Sequence, residues 1–187
     1  MKASLVLSLA LLCATVPAVK AQGMKDGGMN RMGSQSMMSG KAIAVLTAVA
    51  DAKVSGTVRF EQTAGGLRIV ADVDGLTPGK HGFHVHEFGD CSAADFTSTG
   101  GHFAAPGEKH GAPGDPTSHL GDLGNLDADA SGHAHYEWLA PRLSLMGPDS
   151  VLGRAVIIHA GEDDLSTQPT GGAGGRVACG VIGRAKP

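Results

Sequence analysis

From Lys41 onward the chain runs in short stretches of alternating apolar and polar residues, cut by glycine, proline and aspartate. Leu67, Ile69, Ala71 and Val73 occupy every second position, so they share one face of a strand. The same period reads as strands over Ala42–Ala48, Val54–Gln62, His81–Glu87, His133–Leu139, Ala155–His159 and Val177–Ile182. Ala64-Gly65-Gly66 and Gly75-Leu76-Thr77-Pro78-Gly79 are turns. Residues 89–132 carry Gly, Pro and His with almost no periodicity. So long a structureless loop does not suit a compact domain unless something other than a core pins it, such as a disulfide or a metal. Short strands without helical periodicity predict an all-β sandwich or flattened barrel.

The N-terminal part follows different rules. Lys2 precedes an apolar run from Ser4 to Val16, too short to span a bilayer, and Val19-Lys20-Ala21 offers small residues for cleavage. Residues 1–21 therefore read as a secretory signal; Ala18 offers a second cut. No later run reaches the length of a membrane span, so a soluble, exported protein is expected. Cys13 would be the acylated residue of a lipoprotein, but Leu12 stands where that signal wants a small side chain. Residues 22–40 hold Gly, Ser and five methionines (Met24, Met29, Met32, Met37, Met38) with no apolar face, and read as a disordered linker. Thioethers are soft ligands that favour Cu(I), so capture of copper is one use for them; a plain tether is the other. Residues 41–187 form the folded domain.

Glycine, at 29 of 187 residues, argues for turns and against a helical bundle, and the lack of a G-X-Y period excludes collagen. The net charge of −3 becomes −5 once Lys2 and Lys20 leave with the signal (13 basic, 18 acidic), which excludes a basic nucleic-acid-binding surface. Cleavage also leaves two cysteines, Cys91 and Cys179, and an even pair in an exported chain reads as a disulfide.

Nine histidines, mostly between 81 and 135, carry the chemistry. His84 and His86 sit two apart in a strand and face one side. Alone, H-x-H equally describes two surface polar residues. His102, His110, His119 and Asp122 follow at spacings that let nitrogens and a carboxylate converge, and His159 ends the apolar run Val156-Ile157-Ile158. A His₃Asp set suits a closed zinc site; an all-histidine set suits Cu(II) with an open position.

Three stretches in order resemble the copper/zinc superoxide dismutase family, in its bacterial secreted (periplasmic) branch. They are Gly82-Phe83-His84-Val85-His86-Glu87-Phe88-Gly89-Asp90-Cys91, the loop with Gly101-His102-Phe103, His110-Gly111 and His119-Leu120-Gly121-Asp122, and Gly174-Gly175-Arg176-Val177-Ala178-Cys179-Gly180. The early Cys91 and Gln168-Pro169 look like that branch. The resemblance implies a Greek-key β-sandwich, or flattened eight-stranded barrel, with long metal-binding loops. It implies one copper per subunit on His84, His86, His102 and His159, and one zinc on His102, His110, His119 and Asp122, with His102 shared. It further implies Arg176 as the guanidinium beside copper, Asp163 (Asp164 its neighbouring competitor) as a carboxylate linking the two sites, a Cys91–Cys179 bridge, and a structural role for His81. His133 and His135 match nothing in the family and read as a solvent-facing edge. The implied activity is dismutation of superoxide anion to O₂ and H₂O₂, by a homodimer or a monomer. A copper/zinc storage protein would not need Arg176, and a copper-only relative would lack the zinc ligands. The segment Ala160–Gly175 contains Glu162, Asp163 and Asp164 but no Lys or Arg. An anion drawn to a negative protein needs a local positive field, and Lys109, beside His110, is the candidate for a charge beyond Arg176.

Overall fold

The computed structural model describes residues 40–186. The signal, the linker up to residue 39 and the five methionines lie outside the described residues. Among the described residues ten strands form two antiparallel sheets: β1 Lys41–Val45, β2 Thr47–Ala48, β3 Ser55–Thr63, β4 Gly66–Asp74, β5 Gly79–His86, β6 Asp122–Ala128, β7 Ala134–Ala140, β8 Ala155–His159, β9 Arg176–Val181 and β10 Gly183–Arg184. One sheet runs β10-β1-β3-β4-β7 and the other β2-β9-β8-β5-β6. The pairings β4–β7 and β5–β8 skip elements in the chain, as Greek-key crossovers do.

Ten strands come from eight continuous runs. Leu46 interrupts β1 and β2, Ile182 interrupts β9 and β10, and both side chains are buried. At these two pivots the chain passes from one sheet to the other, so β1 pairs with β10 while β2 pairs with β9. That closes one side of the sandwich into a flattened barrel.

The alternation seen along the chain builds the core. Val58, Phe60, Leu67, Ile69, Ala71 and Val73 from one sheet meet Phe83, Val85, Val156, Ile158 and Ala178 from the other. The opposite face of the second sheet is buried as well. His84, His86, Ile157 and His159 lie there, covered by the long loops. A small separate apolar cluster of Phe96, Ala155, Ile157 and Cys179 seals part of it.

The structure corrects one expectation. The region 89–132 is not irregular throughout, because Asp122–Ala128 forms β6 against β5. Leu123 and Leu126 are both buried but three residues apart. A register shift in the β5–β6 ladder between Gly82 and His84 absorbs that spacing, which hides the strand from a period-two reading.

Cys91 and Cys179 are joined by a disulfide that closes 88 residues and ties the first loop to β9. In the chain-entropy account a loop of that length stabilises by about 4–5 kcal/mol. Cys91→Ser/Cys179→Ser is therefore expected to lower the unfolding free energy by about that amount in denaturant titrations.

Candidate metal centre

β5 and β8 place three imidazoles on the covered face of the second sheet. His84 and His86 follow the strand period, and His159 is the last residue of β8. His102 arrives from the loop. It forms a bridge with His86, while Phe103 N donates to Val85 O at 2.8 Å and Val85 N to Gly121 O at 2.9 Å. Gly121 packs so close that a Cβ there would meet Val85 O at 2.2 Å.

The second nitrogen of each ring fixes where the first points. His84 Nε2 lies 2.7 Å from Asp163 Oδ2, His86 Nδ1 3.0 Å from Gly100 O, and His159 Nδ1 3.0 Å from Gly174 O. Each partner accepts, so each of these nitrogens donates. The opposite atoms, His84 Nδ1, His86 Nε2 and His159 Nε2, are buried with no partner, and so is His102 Nε2. Ligand atoms of these four residues lie within 4.8 Å of one another. Four orphaned lone pairs converging in a buried place are costly unless a cation fills it.

A second convergence lies next to the first. Asp122 Oδ1 is 2.8 Å from His102 Nδ1, 3.1 Å from His110 Nδ1 and 3.3 Å from His119 Nδ1. His84, His102, His110 and Asp122 also bring ligand atoms within 4.8 Å of one another. Of the two rings that compete for the fourth place there, both have a buried Nδ1 with no hydrogen bond, but His84 also belongs to the first set, whereas His119 Nδ1 lies 3.3 Å from Asp122 Oδ1 and belongs to no other set. The chemistry of both donor sets fits the expected ions: imidazoles for copper, imidazoles with one carboxylate for zinc.

Electrostatics supports this use. Burial pushes the His84 ring down to about 3, with the neighbouring His102 and His159 adding to it. Burial and His102 likewise take His86 to about 2, and burial takes His159 to about 4. These rings are neutral at pH 7, with lone pairs available to metal. His110 goes the other way. Burial opposes its charge, but hydrogen bonds to Asp122 and Asp163 outweigh burial and raise it to about 9. Without metal it holds a proton that a metal displaces. Both carboxyl groups lie well below the usual range, since hydrogen bonds from these histidines outweigh their burial.

Every histidine and aspartate singled out in the chain as a ligand lies in this cluster. Asp163 reaches both His84 Nε2 and His110 Nε2, each within 2.8 Å, whereas Asp164 is exposed and caps Ser166 and Thr167. His81 donates to the His159 carbonyl at 2.8 Å, a structural contact. Arg176, across the ladder from His159, has its guanidinium held by Phe96 O, by Thr99 Oγ1 at 2.7 Å and by Gly100 O at 2.7 Å. Lys109 is exposed beside His110. His133 and His135 are exposed and away from the cluster, as their lack of a family match implied.

The supporting roles of three residues escaped the sequence reading, although Asn125 and Gln168 lie in or beside the stretches that resemble the family. Asn125 Nδ2 donates to Asp163 O at 2.9 Å and its Oδ1 accepts from Asp163 N at 2.8 Å. Gln168 treats His110 alike: its Nε2 donates to His110 O at 2.8 Å and its Oε1 accepts from His110 N at 2.9 Å. Two amide side chains thus clamp the backbones of the two residues whose side chains join. Gly171 lies against that junction with φ 70°, and a Cβ there would fall 1.9 Å from Asp163 Oδ1. The chain places Gln168 and Asn125 near family-like stretches, but nothing in it shows which backbone each amide grips.

A β-sandwich whose loops bring two adjoining sets of imidazole and carboxylate donors onto one covered sheet face is a two-metal protein with transition-metal positions. Sequence comparison matches residues 54–182 to the family described as "Copper/zinc superoxide dismutase (SODC)". A curated relative, "Extracellular superoxide dismutase [Cu-Zn]" of Brugia pahangi, is 42% identical over 150 residues, covering 75% of this chain and 74% of the relative. A solved structure described as the clock protein EA4 superposes with a TM-score of 0.73 at 41% identity, covering 79% of this chain and 96% of that one. The chain belongs to the copper/zinc superoxide dismutase family. It is an oxidoreductase that acts on superoxide, with copper and zinc as its cofactors. Among the described residues no helix is long and apolar enough to cross a membrane.

The clamps generate an expectation. Removing partners that orient metal ligands typically costs 10–100-fold in metal affinity. Asn125→Ala and Gln168→Ala should each weaken metal binding by roughly that factor in chelator competition, with the far-ultraviolet circular dichroism of the sandwich unchanged.

Proposed function

We propose that the chain dismutates superoxide with a copper held by His84, His86, His102 and His159 and a zinc held by His102, His110, His119 and Asp122, one of each per subunit, with His102 shared. The observation that carries this reading is the double engagement of one ring: His102 Nδ1 is 2.8 Å from Asp122 Oδ1, while its Nε2 is an orphan among the other three imidazoles. When bound, copper supplies the one-electron couple and zinc a fixed charge. With both ions bound, two cations on one imidazole would favour loss of its second ring proton, so that His102 Nδ1 would face the zinc set and Nε2 the copper set. When Nε2 is free of metal, it is the atom that would hold a proton for transfer to the reduced substrate. Asp163 keeps His84 and His110 in the tautomers that point their Nδ1 atoms inward.

Arg176 binds the anion. Its five N–H groups are a fixed fork; three hold Phe96, Thr99 and Gly100, and the other two have no partner among the described residues. The Gly100 carbonyl also accepts from His86 Nδ1, so one loop residue sets the distance between guanidinium and copper ligand. Export fits the disulfide and the extracellular name of the nematode relative. In this reading residues 1–21 are removed, residues 22–40 tether the domain of residues 41–187, the methionines are available to Cu(I), and the destination is a bacterial periplasm.

Arg176→Ala is expected to lower kcat/KM by about 10–100-fold, the worth of a charge-assisted contact to an anion, with copper and zinc contents at wild-type values. Dismutation at full rate in that variant would remove Arg176 from the mechanism. If Lys109 adds to the positive field, Lys109→Glu slows dismutation at low salt and flattens its dependence on ionic strength; an unchanged slope excludes it.

A further inference from the structure

Seven of the nine histidines belong to the metal-ligand cluster (His119 half-buried, the others buried) or, for His81, to its backbone support. The remaining two, His133 and His135, stand on the outer face of the first sheet. His133 immediately precedes β7 and His135 lies within it, with buried Ala134 between them, so both rings project from the same side. β7 is the last strand of its sheet, which leaves that side open to approach.

Each ring meets a carboxylate from β4. His133 Nδ1 lies 2.9 Å from Asp74 Oδ1, and His135 Nδ1 lies 2.7 Å from Asp72 Oδ1. Asp72 is the direct ladder partner of His135. The side chains of His133 and His135 are 45% and 56% exposed, so their Nε2 atoms reach water. A neutral ring that donates from Nδ1 to a carboxylate carries its lone pair on Nε2, where a metal can take it. This H-x-H facing D-x-D uses at the surface the device that Asp163 applies to His84, with the nitrogens exchanged: Nδ1 is engaged here and Nε2 left free.

We propose that His133 and His135 chelate one divalent transition-metal ion through their Nε2 atoms, with Asp74 and Asp72 orienting the rings. Imidazole pairs suit Ni(II), Cu(II) and Zn(II). Water completes the coordination shell, so this ion exchanges freely, unlike those of the enclosed positions. The site is separate from dismutation, because none of its four residues belongs to either set of buried ligand residues.

Calorimetric titration of Ni(II) into the copper- and zinc-loaded full chain tests this. Ni(II) is the probe because the linker methionines favour Cu(I). One Ni(II) per chain is expected, with uptake lost in His133→Ala/His135→Ala. Asp72→Asn/Asp74→Asn should weaken it by about 10–100-fold. All variants should dismutate superoxide at the wild-type rate, which verifies their folding. No uptake by the wild-type protein, undiminished uptake without the two histidines, or full affinity without the two carboxylates overturns the proposal.

Discussion

The Asp163 carboxylate, shared between His84 Nε2 and His110 Nε2, is the contact on which the rest of the centre depends. One oxygen orients a ring from β5 and the other a ring from the long loop, so the two metal positions cannot shift independently. The contact is buried and charged, which is costly without full pairing. Its pairing is complete: Asp163 Oδ1 also accepts from Leu165 N at 2.7 Å, and Asn125 grips its backbone on both sides. Gly171 leaves no room for anything else.

This arrangement explains why so much of the chain is loop. A sheet face bearing imidazoles cannot be sealed by a second sheet, since the lone pairs would be stranded in an apolar layer. Loops rich in backbone donors and acceptors can seal it. The disulfide fastens one of them to β9, and Gln168 joins the two loops through His110. What a core does for the sandwich interior, covalent and polar ties do for its outer face, around donor sets that suit two cations. The small apolar cluster around Phe96 and Ile157 then excludes water from one flank.

Much of this was legible in the chain. Period-two runs such as Leu67 to Val73 give strands, because one face of each must be buried whatever the topology. The histidine set and the cysteine pair were legible because few residue types can do their work. β6 was not, since Leu123 and Leu126 break the period and only the ladder irregularity opposite them restores it. The pivots at Leu46 and Ile182 are ordinary apolar residues whose role depends on which strands lie beside them. The partners of Asn125 and Gln168 are not legible, because the residues they grip lie 38 and 58 positions away and meet them only in the fold. The acids facing His133 and His135 likewise become neighbours only through the β4–β7 register.

The central claim is that one ring joins two metals, and electron paramagnetic resonance tests it most directly. With Cu(II) loaded into both positions, a shared deprotonated His102 couples the two spins, so the account predicts loss of the isolated Cu(II) spectrum and its return in His102→Ala. Two independent, uncoupled Cu(II) signals in the fully loaded wild-type protein would contradict it.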